Sequence, residues 1–176
     1  ARRCESASRL GSLLSLAQSQ AQLATTADAF DRDPWLFNTE NCLIDLKTNQ
    51  VLPHDPARLV TKLSPVVYDP AATCPNWDAF LARVLADRPE LIRYLQKAVG
   101  YSLTGETGEQ CLFLLYGQGA NGKSTFLSTI MGILNTYARQ LPMDALLAKN
   151  NHQIPNDIAA LRGARFASAV EADDGS

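Results

Sequence analysis

Several features that would place the chain in a specialised class are missing. No apolar run approaches the ~20 residues that a membrane-crossing helix needs. Arg2 and Arg3 stand near the start, but no uninterrupted apolar stretch follows them as it does in a signal peptide. We therefore expect no membrane partner and a cytoplasmic setting. Histidine is scarce, with only His54 and His152, and the cysteines at 4, 42, 74 and 111 form no C-x-x-C pair. A structural zinc site is not expected from such a set, and scattered reduced thiols are. Charge of one sign is also missing: 16 Lys and Arg face 18 Asp and Glu, a net of −2. That is not the basic footprint of an autonomous nucleic-acid-binding domain, although a local patch remains compatible with it. No internal repeat or low-complexity tract is present. What remains is a chain of 176 residues, 46% hydrophobic, enough for one medium domain or two small ones.

The most informative segment is 111–126, CLFLLYGQGANGKSTF. Cys111 to Tyr116 are apolar or aromatic and predict a short strand buried on both faces. A glycine-rich loop and a helical pattern follow. Gly117, Gly122, Lys123 and Ser124 fit G-x-x-x-x-G-K-[ST], the phosphate-binding loop. Glycines let the backbone curl until several N–H groups face one phosphate chain. The helix that follows contributes unpaired N–H groups and the positive end of its dipole. Lys123 supplies a mobile charge for the β- and γ-phosphates, and the Ser124 hydroxyl is suited to Mg²⁺. Candidate cofactor-binding residues are thus Gly117, Gly119, Ala120, Asn121, Gly122, Lys123, Ser124 and Thr125. A chance match in a chain of this length is about one in a few hundred, and the strand-before, helix-after context narrows it further.

Elsewhere, residues 1–29 read as an N-terminal helical segment. Leu10, Leu13, Leu14, Ala17 and Ala21 give it one apolar face over Ser6–Ala29, ending before Pro34. Packing of this face on its own domain is favoured over a partner-binding role. Residues 30–104 read as a small α+β region. Trp35–Pro53 suggests a hairpin turning at Lys47–Gln50, and Leu59–Tyr68 an extended segment broken at Pro65. Two helices follow, one carrying Trp77, Phe80, Leu81, Val84 and Leu85, the other starting at Pro89 and carrying Leu91, Ile92, Leu95 and Val99. Arg83, Arg88, Arg93 and Lys97 on this pair form either a DNA-facing patch or, the favoured reading, a solvated face. The polar tract 104–110 marks a boundary, and 105–176 reads as the first part of a nucleotide-binding domain. Short helices are expected at 142–149 and 157–161, and a strand at 165–170.

A phosphate loop needs an acidic partner to orient Mg²⁺ and the attacking water. Such an acid sits at the C-terminal end of a neighbouring parallel strand. Glu171 ends the strand candidate, and Asp173 follows two residues on. Candidate catalytic residues are Lys123, Glu171 and Asp173, and candidate metal ligands are Ser124 and Glu171. The chain starts at Ala1 and stops at Ser176 just after this strand, so we expect a piece of a longer protein.

From Trp35 to Ser176 the chain resembles the phage- and plasmid-associated primase–helicases shared by satellite phages and poxviruses. The matching stretches are WLFNTENCLIDLKTNQVLPHDP, SPVVYDPAATCPNWDAFL, LQKAVGYSLTGETGEQCLFLLYGQGANGKSTF and IAALRGARFASAVEADDGS. The loop form G-x-G-x-N-G-K-S-T-F is narrower than the general motif, and GYSLTG and L-x-G-x-R add specificity. The resemblance implies an α/β fold: a truncated P-loop NTPase core, AAA+-like and of the superfamily III helicase type, preceded by a small α+β region. It implies a replicative helicase that hydrolyses ATP with Mg²⁺ on single-stranded DNA, usually as a homo-hexamer, with replication proteins as further partners. It maps Lys123 and Ser124 to phosphate and Mg²⁺ and Glu171 to the acidic motif. Where the family often has two adjacent acids, Ala172 separates Glu171 from Asp173. The family's DNA-contacting hairpin, sensor asparagine and arginine finger would lie beyond Ser176, so this stretch alone is expected to turn over ATP near background. Two other classes stay open: a P-loop phosphotransferase, and a non-catalytic module that docks replication partners.

Overall fold

The computed structural model describes residues 6–20, 24–145 and 160–170. Helix α1 spans Ala7–Gln18, shorter than the expected 6–29, and a 3₁₀ turn at Ala27–Ala29 follows after an interruption. No residue of α1 is buried, and Leu10, Leu13 and Leu14 are exposed. The expectation that this stripe packs on its own domain is therefore not met. Four of its residues are leucine, so the stripe is present but is not covered by the described residues, and the Ser12 hydroxyl donates to the Ser8 carbonyl at 3.0 Å.

The α+β region begins with a three-stranded antiparallel meander, β1 (Leu36–Asn38), β2 (Leu43–Asp45) and β3 (Gln50–Leu52). The expected hairpin is its β2–β3 half, with Ile44 opposite Val51. Asp45 fixes the turn by accepting from the Lys47 amide at 2.9 Å. Hydrogen bonding, first from the Thr48 side chain, holds its carboxyl below the usual carboxylate range. Strand β1 pairs Phe37 with Ile44. The segment 59–68 runs beside β1 without becoming a strand. Its Ser64 amide donates to the Asn38 carbonyl at 2.9 Å, and the buried Ser64 hydroxyl donates to the Ile133 carbonyl at 2.6 Å.

Helices α2 (Pro75–Val84) and α3 (Pro89–Leu103) follow as expected, each opened by a proline whose missing N–H costs nothing in the first turn. Helix α3 passes through Gly100 and ends at Leu103, and the Gly105 amide then donates to the Pro34 carbonyl at 2.8 Å. Helix α4 spans Lys123–Leu134 and buries Phe126, Ile130 and Leu134, spaced to share one face. Phe37 of β1, Leu81 of α2, Tyr137 and Ala138 close the core around that face. The rings of Phe37 and Tyr137 stack at 4.9 Å, and those of Trp77 and Phe126 at 5.7 Å. One core thus draws on residues from both sides of the polar tract 104–110. Each buried Leu or Phe contributes roughly 1.5–3 kcal/mol.

Strands β4 (Ala138–Pro142) and β5 (Phe166–Val170) form a parallel pair in the register Ala138↔Phe166 to Pro142↔Val170. β5 meets the expectation for 165–170. β4 was not expected, because Arg139 and Gln140 interrupt its apolar pattern; both face solvent. Of the helix expected at 142–149, position 142 belongs to β4, Met143–Ala145 form a 3₁₀ turn and 146–149 lie outside the described residues, as does most of that expected at 157–161.

The segment Cys111–Tyr116 departs from expectation. It forms no ladder with any described strand. Leu112, Leu114 and Tyr116 are 81%, 77% and 88% exposed, so it is not buried on both faces. Leu115 alone packs against the core, while Phe113 meets the edge of the Tyr94 ring at 6.3 Å. An apolar run becomes a doubly buried strand only with a sheet neighbour and cover on each side, and the described residues give this one cover on one side. Among the described residues, no helix is long and apolar enough to cross a membrane.

Candidate functional site

The loop between Tyr116 and α4 is built by three residues with positive φ: Gly117 at 148°, Ala120 at 57° and Gly122 at 85°. These reversals turn the chain back over the start of α4. Gly122 is the N-cap, and no side chain caps this end. The Phe126 amide donates to the Gly122 carbonyl at 2.9 Å, closing the first helical turn. The amides of Lys123, Ser124 and Thr125 consequently have no intrahelical acceptor. They sit at the positive end of a twelve-residue helix, a standard setting for anionic oxygen.

Lys123 crosses the mouth of this loop. Its ammonium donates to the Gly117 carbonyl at 2.9 Å, the Asn121 Oδ1 at 2.9 Å and the Gln118 carbonyl at 3.3 Å. Ser124 and Thr125 are exposed in the first turn, while Asn121 and Lys123 are half-buried. All eight expected cofactor-binding residues, Gly117, Gly119, Ala120, Asn121, Gly122, Lys123, Ser124 and Thr125, therefore lie in one loop and the helix turn it feeds. Glu171 and Asp173 lie outside the described residues. β5 ends at Val170, immediately before Glu171. Among the described residues no three His, Cys, Asp or Glu side chains converge as a metal site. Ser124 is the one described side chain of the two expected metal ligands.

Two supports of this site are not visible in the motif. The first is α2. A Cβ at Gly122 would lie 2.7 Å from Val84 Cγ1 and 3.1 Å from the Phe80 ring, so α2 abuts the base of the loop. The aromatic spacing at Trp77 and Phe80 signals a helix but not what it touches.

The second support is Arg165, the last residue of L-x-G-x-R. Its guanidinium donates to the Leu103 carbonyl at 2.6 Å and the Leu36 carbonyl at 2.7 Å, with a longer contact to the Asp33 carbonyl at 3.5 Å. It also sits 4.6 Å from the centre of the Tyr137 ring. Burial pushes the guanidinium below its ordinary pKa and the Tyr137 hydroxyl above its own. Nearby, Arg162 pairs with Asp28. Asp31 accepts from the Thr61 amide at 2.7 Å and from the Thr61 hydroxyl. A cleft of about 420 Å³ lies here, bounded by Asp31, Lys62, Glu106, Tyr137 and Arg165. The polar groups around Arg165 are largely engaged in holding three chain segments together. The start of β5, which leads to Glu171, is thereby tied to β1 and to the end of α3.

Residues 1–86 match a family model described as D5 N terminal like, the N-terminal region of D5 primase–helicase-like proteins. The match takes in α1, the meander and α2, and stops before the glycine-rich loop. No match is found among curated proteins.

Proposed function

We propose that the chain is the nucleotide-binding front part of an ATP-driven replicative DNA helicase, with a truncated P-loop NTPase core of the superfamily III type. One observation carries this reading: the Lys123 ammonium and the uncapped start of α4 meet in a single curled loop. That donor set suits a chain of phosphate oxygens, so the residues present fit the triphosphate of ATP. Gly117, Gly119, Ala120, Asn121 and Gly122 would shape the cradle, Lys123 would reach the β- and γ-phosphates, and Thr125 would add its first-turn amide. Bound Mg²⁺ would neutralise phosphate charge; Ser124 supplies a hydroxyl for it, and Glu171 is the proposed acidic partner, with Asp173 in support. The D5-type match over residues 1–86 favours a primase–helicase setting over a small phosphotransferase. Single-stranded DNA is the proposed track, and a homo-hexamer the proposed assembly.

ATP turnover by the full-length protein, measured with and without single-stranded DNA, tests the reading. DNA should stimulate phosphate release, and no small acceptor should become phosphorylated. Transfer of the γ-phosphate to a metabolite would replace helicase by kinase. A docking role for replication proteins gains support from one feature, the exposed leucines of α1. It would stand alone only if the chain failed to bind nucleotide.

A further inference from the structure

The general phosphate-loop pattern leaves position 121 free, yet Asn121 makes one of the three close contacts of the Lys123 ammonium. An ammonium carries three protons and accepts nothing. Its acceptors here are the carbonyls of Gly117 and Gln118 and the side-chain oxygen of Asn121. Asn121 is the only side chain among them. Because the ammonium can only donate, the Asn121 oxygen must face it, and this fixes the amide orientation. The amide nitrogen then points to the other end of the loop, into the space that a Cβ on Gly117 would fill. One side chain thus spans the loop, touching its first glycine and its lysine.

We propose that Asn121 is a positioning residue for Lys123, a neutral brace that holds the ammonium across the loop mouth and yields it to a phosphate oxygen. This rests on the nucleotide-binding reading above. Lysine ends a flexible four-carbon stem with many rotamers. Holding its head near the place of use lowers the ordering cost of binding. The acceptor must be neutral. A carboxylate at 121 would keep the ammonium in a charge-assisted bond and set a negative charge beside the phosphates. The same bridge explains why the loop's first position is glycine: a side chain there would displace the amide.

The test compares Mg-ATP affinity, by displacement of a fluorescent ATP, for the parent chain, Asn121→Ala, Lys123→Ala and the double variant. Asn121→Asp is added, and a thermal melt of each shows that it is folded. Asn121→Ala should weaken binding about three- to ten-fold, the ordering cost of one rotamer-rich side chain that is no longer held in place. It should change affinity by less than about two-fold when Lys123 is already alanine, because partners in one contact are not additive. Asn121→Asp should be weaker than Asn121→Ala. Loss at Lys123 with none at Asn121 would overturn the brace and leave the nucleotide site standing. Equal losses from Asn121→Ala in both backgrounds would also overturn it, since the residue would then shape the loop without acting through the lysine. Unchanged affinity in Lys123→Ala would overturn the nucleotide reading and the brace together.

Discussion

Replacing Arg165 by alanine removes two short hydrogen bonds, at 2.6 and 2.7 Å, and a ring contact at 4.6 Å. Each bond from a charged donor contributes about 1.5–3 kcal/mol, and the ring contact about 0.5–2 kcal/mol. Opposing this is the cost of burying the guanidinium, visible in its lowered pKa. Leaving the Leu36 and Leu103 carbonyls without this partner costs about 1–3 kcal/mol each, and after the offset we expect a net loss of about 3–4 kcal/mol. At roughly 2–4 °C per kcal/mol for a domain of this size, the melting temperature should fall by about 6–16 °C. Arg165→Lys keeps the charge but loses the fork that reaches two carbonyls at once, so it should recover less than half of the loss. Thermal melts followed by circular dichroism, with urea titrations alongside, provide the readout. If Arg165→Ala melts within about 2 °C of the parent, the junction between β5, α3 and β1 is not held as described.

Tyr137→Phe should cost about 1–3 kcal/mol, because its hydroxyl accepts from the Asn38 amide at 3.0 Å and that amide would lose its partner. The folded state raises the Tyr137 pKa above 10.0 by burial. Its contribution to stability is therefore complete below that pH and is lost as pH rises through the folded value; alkaline urea titrations should show a shallower decline in the phenylalanine variant. Gly122→Ala places a methyl 2.7 Å from Val84 at a φ of 85°, so it should destabilise by about 1–3 kcal/mol and weaken Mg-ATP binding as well. A melt unchanged by that substitution would mean that α2 does not abut the loop.

The sequence made the local devices legible. Positive-φ glycines, a lysine at the head of a helix and the periodic faces of α2, α3 and α4 are all encoded over a few residues, and the structure contains them. Contacts between distant segments were less visible. β4 was missed because Arg139 and Gln140 break its pattern, and its identity comes from pairing with β5 rather than from its own residues. Cys111–Tyr116 reads as a strand by hydrophobicity alone, but a strand is a relation between two chains of hydrogen bonds, and its six residues carry only half of it. The leucines of α1 show the same limit: a periodic face states what a helix has to bury, not what it meets. Arg165 stood out in a motif, yet its three carbonyl acceptors come from residues more than sixty positions earlier.

The central claim is that the loop around Lys123 binds the phosphates of ATP. Isothermal calorimetry of Mg-ATP into the parent chain and into Lys123→Ala tests it most directly. The account predicts measurable heat for the parent and an affinity lower by about 1.5–3 kcal/mol for the variant. Equal affinity in the two proteins, or no binding by a folded parent, would contradict it.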